Sequence, residues 1–184
     1  MDALVMCGGR GTRLGGETEK PRYTIDDVPM VQRVLTALEA SRIETVYAAV
    51  SAHAPATREY LKENEAATTV DTPGSGYVAD LQHALTGLDT PILTVAADLP
   101  LLDAVLVDRV LDRFDGRNLT VVVPTALKDA LGASCDTAFD GRAPTGVNVV
   151  ADTDAETMYT TYDARLAVNV NRPADADLAE ALCD

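Results

Sequence analysis

The sequence predicts an α/β domain, a Rossmann-like and mostly parallel sheet with helices on both faces, and three observations predict it. Runs rich in β-branched residues alternate with helically periodic segments up to residue 124. A glycine cluster directly follows the first of these runs, and a lone aspartate, Asp98, follows the fourth. Glycine-bearing turns and acidic residues at the carboxyl ends of parallel strands are where open α/β sheets bind ligands.

The elements follow in order. DALVMC (2–7) reads as a strand and PMVQRVLTALEAS (29–41) as a helix; IETVYAAVS (43–51) and PATREYLKENEA (55–66) repeat the pair. TTVDT (68–72) is a strand, and in the helix YVADLQHALTGL (77–88) Val78, Leu81, Leu85 and Leu88 keep a three-to-four spacing that makes one face apolar. PILTVAAD (91–98), DAVLVDRVLDRF (103–114) and LTVVVP (119–124) complete the alternation of βαβ units. Beyond it, residues 125–145 are mixed and turn-rich, ahead of strand candidates at GVNVVA (146–151), MYTTY (158–162) and RLAVNVN (165–171). A last helix is predicted from Ala174 to Leu182, with Pro173 in its first turn. This region reads as an embellishment of the same sheet that includes an antiparallel strand. With 184 residues, 47% of them hydrophobic, and no linker composition or repeat, the chain is expected to be one domain, 1–184.

Composition removes several function classes. No run approaches the eighteen or so apolar residues of a membrane span, and residues 1–6 read as a short strand rather than a leader, so a cytoplasmic protein is expected. Cys7, Cys135 and Cys183 are odd in number and lack CxxC spacing, which supports neither disulfides nor zinc. The excess of 29 acidic over 15 basic residues, a net charge of -14, makes nucleic acid an unfavourable partner. Lysine occurs only at 20, 62 and 128 and tryptophan is absent, a composition resembling a halophile's protein, with an ordinary acidic mesophile as the alternative.

Against this background CGGRGTRLGGETEKPR (7–22) places Arg10, Arg13, Lys20 and Arg22 around five glycines. Bare backbone amides and cations together suit an anionic ligand; a tight turn that binds nothing is the plainer reading. A Walker A string, GxxxxGK(S/T), occurs nowhere, and Gly9, Gly11 and Gly15 fall out of step with GxGxxG. The second strand also ends in VSAH, without the acidic residue a dinucleotide site wants.

GGRGTRLG followed by EKP resembles the GGxGTRxG...KP motif of the nucleotidyltransferases related to molybdenum-cofactor guanylyltransferases and sugar-phosphate nucleotidyltransferases. The resemblance implies the nucleotide-diphospho-sugar transferase type of fold and a loop wrapped around a nucleoside triphosphate. Cys7, Gly8, Gly9, Gly11 and Thr12 would be its contacts, and Arg13 and Lys20 its neutralising and catalytic cations. Asp98 in AADLP, which taken alone also suits a helix cap or turn, is then implied to be catalytic and to hold Mg2+ beside the α-phosphate. Gly74, Ser75, Gly76 and Asp80, in DTPGSGYVADL, would meet base and ribose, with Ser75 alternatively only a helix cap.

The likeness continues through PTGVNVV and AVNVNRPADADLAE, is poorest between Ala126 and Arg142, and is fullest toward archaeal members acting in cobalamin synthesis. It implies GTP and adenosylcobinamide phosphate as substrates, with Gly146, Asn148 and Asn169 toward the acceptor. Asn169, where relatives carry aspartate, would be a weaker second metal contact; otherwise Asn169 and Asn171 merely bond their own turns. His53 and His83 stand in no triad-like pattern and receive no catalytic role. Molybdenum-cofactor guanylyl or cytidylyl transfer is the nearest alternative, and a non-catalytic guanine-nucleotide-binding module is the alternative of another class. A homodimer is among the assemblies that the sequence leaves open.

Overall fold

The computed structural model describes residues 1–9, 11–15, 18–65 and 67–183. Arg10, Gly16 and Glu17 of the glycine-rich stretch lie outside the described residues. β1 (Asp2–Met6) is buried on both faces, as a central parallel strand built of one apolar run must be. The glycine loop carries single 3-10 turns at Thr12–Leu14 and Lys20–Arg22, then enters a small hairpin of β2 (Thr24–Ile25) and β3 (Val28–Pro29). The hairpin turns on Asp26 and Asp27, whose φ values of 46° and 62° suit the tight two-residue turn.

There follow α1 (Met30–Glu39), β4 (Val46–Ser51), α2 (Pro55–Asn64), β5 (Thr68–Thr72), α3 (Tyr77–Leu85), β6 (Ile92–Ala96) and α4 (Ala104–Leu111). The chain continues through β7 (Asn118–Pro124), α5 (Thr125–Leu131), β8 (Arg142–Val150), β9 (Glu156–Thr160), a 3-10 turn at Ala164–Leu166 and α6 (Pro173–Ala181). The seven-stranded sheet has the order β5-β4-β1-β6-β8-β7-β9. Only β8 runs against the rest, pairing antiparallel with both β6 and β7. Strand order reverses at β1, whose neighbours are β4 and β6, so the glycine loop and Asp98 leave adjacent strand ends at the topological switch point.

Alternation along the strands fixes the layers. Ala3 and Val5 face α1 and α4 through Val34, Leu35, Leu38, Leu106, Val107 and Val110, while Leu4, Met6 and Ile92 face α3. Val78, counted in the apolar stripe of α3, is 66% exposed: the sheet covers that helix from Leu81 onward only. A satellite core joins Leu14, Ile25 and Met30 to Leu101, Val168, Val170, Ala176 and Ala179, clamping the glycine loop and hairpin to α6.

The later third departs from expectation in instructive ways. α5 forms inside the stretch read as turn-rich, and β8 begins at Arg142 rather than at Gly146. β8 keeps strict alternation of burial along its length, but its register against β7 shifts between Thr120 and Val122, and Gly146 adopts φ 86° at the irregularity. A side chain at Gly146 would meet Ala96 at 2.9 Å, so glycine allows β8 to press onto β6. RLAVNVN is no strand. Its alternation is real, with Val168 and Val170 in the satellite core, but the segment crosses the site and shares with it the backbone bond Val170 N–H to Asp98 O, 3.0 Å.

Asp163 anchors this crossing. Its carboxylate accepts from Arg165 Nε (2.9 Å), Arg165 Nη2 (2.9 Å) and Arg109 Nη1 (3.2 Å). Hydrogen bonding from Arg165 holds the Asp163 carboxyl below the usual carboxylate range. A depressed folded-state pKa contributes stability above the ordinary value and loses it as pH falls through the folded one. Asp163→Asn is therefore expected to melt below the wild type at neutral pH, with the gap in Tm narrowing in acid, as thermal scans across pH will show.

Candidate active site

A cavity of about 330 Å3 opens at the carboxyl ends of β1, β4, β5 and β6. Gly8 and Gly9 form one wall, Gly74, Gly76 and Asp80 another, and Lys20 and Asp98 close one end. The two leading glycines face different partners. A side chain on Gly8 would touch Asp80 Oδ2 and Ser51 at 3.6 Å, whereas one on Gly9 would press Lys20 Cδ at 3.0 Å. Gly11 has φ 68°, and a side chain there would strike Thr18 O at 2.6 Å, which keeps the loop tight. Lys20 N–H donates to Gly9 O at 3.2 Å, folding the loop onto its own lysine.

The second wall is braced by Asp80, which is buried and whose Oδ1 accepts from Gly74 N–H (2.8 Å) and Ser75 N–H (3.1 Å). Ser75 does not cap α3, since the cap position is Gly76, with no side-chain cap bond. Gly74 lies with φ 76° over His53, so close that a side chain would meet its ring at 2.7 Å. His53 thus lines the cavity as a floor to the loop, a contact that sequence reasoning gave no role, and His83 is exposed on α3.

At the closed end, Lys20 Nζ donates to Asp98 Oδ2 (2.5 Å) and to Asn171 Oδ1 (2.7 Å), with both charged side chains mostly buried. Asn169 Nδ2 donates to Asp98 Oδ1 (3.1 Å) and to Thr145 O (2.9 Å), while its own Oδ1 accepts from Lys128 Nζ (3.3 Å). Two acceptors on one side and an ammonium on the other fix the sense of that amide. The expectation of Asn169 as a metal contact is corrected accordingly: it turns its nitrogen, not its oxygen, toward Asp98. Neither asparagine merely bonds its own turn. Among the described residues no group of three or more His, Cys, Asp or Glu could hold a metal; at this end of the cavity the carboxylate that could meet a cation is that of Asp98, between Lys20 and Asn169. That suits Mg2+, which commonly uses one or two carboxylates and takes its other ligands from phosphates and water.

Two further expectations are corrected. Cys7 reaches no part of the cavity: its thiol is buried in the core, pushed up to about 12 by burial, and its N–H donates to Ala49 O. Asn148 sits between Thr94 and Thr120 within the sheet, one alternation deeper than Gly146, and lines neither this cavity nor its neighbour. Arg13 and Thr12 flank a smaller recess of about 220 Å3 with Lys20 and Asn171. There Arg13 is held by Asp136 (2.7 Å), which Arg172 also grips (2.5 Å).

A second chamber of about 280 Å3 shares Tyr77, Ala96 and Asp98 with the first and is otherwise lined by Gly146, Asn169, Asn171, Lys128 and the segment 134–137. Tyr77 is 47% exposed as a residue, and partial desolvation raises its phenol, with the charge of Asp98 adding to it. Burial lowers the Lys128 ammonium, against the pull of nearby acidic groups.

Glu19 was part of the EKP string but carried no assigned role. Its carboxylate accepts from Ala56 N–H (2.9 Å), Thr57 N–H (2.6 Å) and Thr57 Oγ1 (2.6 Å), capping α2 from outside, because Ala54 at the cap position has no side chain able to do so. A carboxylate there also meets the positive end of the helix dipole. The residue beside Lys20 is thereby pinned to a regular element.

A glycine loop, with a lysine and an aspartate paired across the switch point of a parallel sheet, is the arrangement that suits a nucleotide-handling transferase. A family model described as the MobA-like NTP transferase domain matches residues 3–166, and the chain belongs to that family; it is a nucleotidyltransferase. The chain is 32% identical over 195 aligned positions, covering 99% of it and 97% of the relative, to adenosylcobinamide-phosphate guanylyltransferase of Methanocaldococcus jannaschii. It is 28% identical, over 67% of its own length and 61% of the relative's, to a protein of Thermococcus sibiricus named as a probable molybdenum cofactor guanylyltransferase. The crystal structure of HddC from Yersinia pseudotuberculosis complexed with GMP-PN superposes with a TM-score of 0.73 at 14% identity, covering 100% of this chain and 99% of that one. That likeness is one of fold. The expected nucleotide-diphospho-sugar transferase architecture is the one observed.

Removing the external cap should loosen both α2 and the loop. Glu19→Ala is expected to lower the unfolding free energy by roughly 1–2 kcal/mol in a urea titration. It should also weaken nucleotide affinity measured by calorimetry, with Glu19→Gln intermediate in both.

Proposed function

We propose that the protein transfers GMP from GTP to adenosylcobinamide phosphate with release of pyrophosphate, in cobalamin synthesis. The observation that carries the reading is the Lys20–Asp98 pair at 2.5 Å, set between a glycine-walled cavity and a second chamber that share Asp98. Support for this acceptor over molybdopterin comes from the relative matched along nearly its full length. An oxygen of the acceptor phosphate attacks the α-phosphorus, the bond from that phosphorus to the bridging oxygen breaks, and the electron pair leaves with pyrophosphate.

A phosphate monoester is largely ionised near neutrality, so no protein nucleophile or strong base is called for. The work left to the chain is alignment and charge neutralisation. In this reading Gly8 and Gly9 give the nucleotide a bare backbone wall, and the Asp80-braced loop at Gly74 and Ser75 holds the base end. Lys20 exchanges its bonds to Asp98 and Asn171 for phosphate oxygens, and Arg13 turns from Asp136 to the triphosphate. When bound, Mg2+ supplies positive charge against the α-phosphoryl oxygens, and Asp98 is the residue that would hold it.

Purified protein offered GTP, Mg2+ and either acceptor should form the cobinamide dinucleotide and not the molybdopterin one. Lys20→Ala and Asp98→Ala are each expected to fold, by circular dichroism, and to lose about 10²- to 10³-fold in turnover. Full turnover by both would remove the assigned roles.

We also infer a high-salt cytoplasm as the working medium, from the net charge of -14. No helix of the described residues is long and apolar enough to cross a membrane. Screening of like charges strengthens between about 0.1 and 1 M salt, so Tm is expected to rise over that range. A Tm that falls instead would contradict the inference.

A further inference from the structure

The transfer reaction sets a second anion against the nucleotide, inside a protein that is itself strongly negative. On the nucleotide side the cations are Lys20 and Arg13. The second chamber adjoins the nucleotide cavity, sharing Tyr77, Ala96 and Asp98 with it, and an attacking group in it would stand beside the nucleotide. Among the described residues lining that chamber, one is a cation: Lys128.

Lys128 is 3% exposed, and a buried ammonium is costly unless it is well paired. Each of its three donors has an acceptor, but only one of them at short range. Ala167 O accepts at 2.6 Å, but Ser134 O stands at 3.4 Å and Asn169 Oδ1 at 3.3 Å, and no carboxylate forms an ion pair with it among the described residues. A lysine whose work was only to tie α5 to residues 134 and 167 would gain most from three short bonds or a counter-ion. This one keeps one strong anchor and two long bonds on the walls of the chamber.

We propose that Lys128 is the counter-charge for the acceptor's phosphate monoester, which docks in the second chamber and exchanges those two long bonds for its own oxygens. The assignment rests on the nucleotidyl-transfer reading above and adds to it the group that receives the attacking phosphate. It also gives the Asn169 amide a use: its oxygen steadies the ammonium until the phosphate arrives, and its nitrogen steadies Asp98.

The test has two arms. With GTP and Mg2+ saturating, Lys128→Met is expected to raise the KM for adenosylcobinamide phosphate roughly 10- to 100-fold, with the KM for GTP unchanged and Lys128→Arg recovering most of the loss. The other arm needs neither a variant nor the true acceptor. The chain has three lysines, so the side-chain resonance of Lys128 can be followed in isotope-labelled wild type carrying Mg2+ and a non-hydrolysable GTP analogue while methyl phosphate is added. A saturable shift of Lys128 is expected. Absence of turnover with adenosylcobinamide phosphate, together with that shift, would sink the acceptor assignment and leave the phosphate site standing. No shift of Lys128, or an unchanged acceptor KM in a folded Lys128→Met, would overturn the proposal.

Discussion

The contact on which the site depends is the ion pair between Lys20 and Asp98, because it joins two strand ends that are far apart in sequence and adjacent only at the switch point. Neither partner could be held there alone. An isolated carboxylate or ammonium in a mostly buried setting carries a desolvation cost of several kcal/mol in practice. Each is instead given a second partner, Asn171 for the lysine and Asn169 for the aspartate. The crossing segment that supplies both asparagines is held by the satellite core beneath it and by Asp163 at its start. Charge, packing and topology therefore converge on a few side chains, among which the lysine's donors are the ones an anionic ligand could take over.

Much of this was legible in the sequence. Alternating β and α patterns through residue 124 gave the order of the elements, because parallel strands buried on both faces read as apolar runs with little ambiguity. The glycine motif and Asp98 were legible for a different reason: backbone approach and charge at a strand end demand particular residue types. What was missed depends on tertiary placement. RLAVNVN alternates as a strand would, yet two different environments, a small core and a polar site, produced that alternation. Lys128 stood in the stretch of poorest likeness, and nothing local marks a helical lysine as buried. Glu19 looked like part of a loop until α2 arrived to use its carboxylate.

Cys7 and Asn148 show the opposite error. Both neighbour candidate site positions in sequence, but Cys7 turns into the core, and Asn148, on the same side of β8 as Gly146, lies a step deeper into the sheet. A motif string carries no such directional information.

The satellite core has a consequence for how the molecule comes apart. Leu14 of the glycine loop and Ile25 of the hairpin share their burial with Met30, Leu101, Val168 and Val170 and with Ala176 and Ala179 of α6, in a cluster separate from the main core. Regions tied in this way open and close as a cooperative unit. Fraying of the last helix therefore reaches the glycine loop without passing through the central sheet, and whatever steadies that loop also guards the helix against proteases.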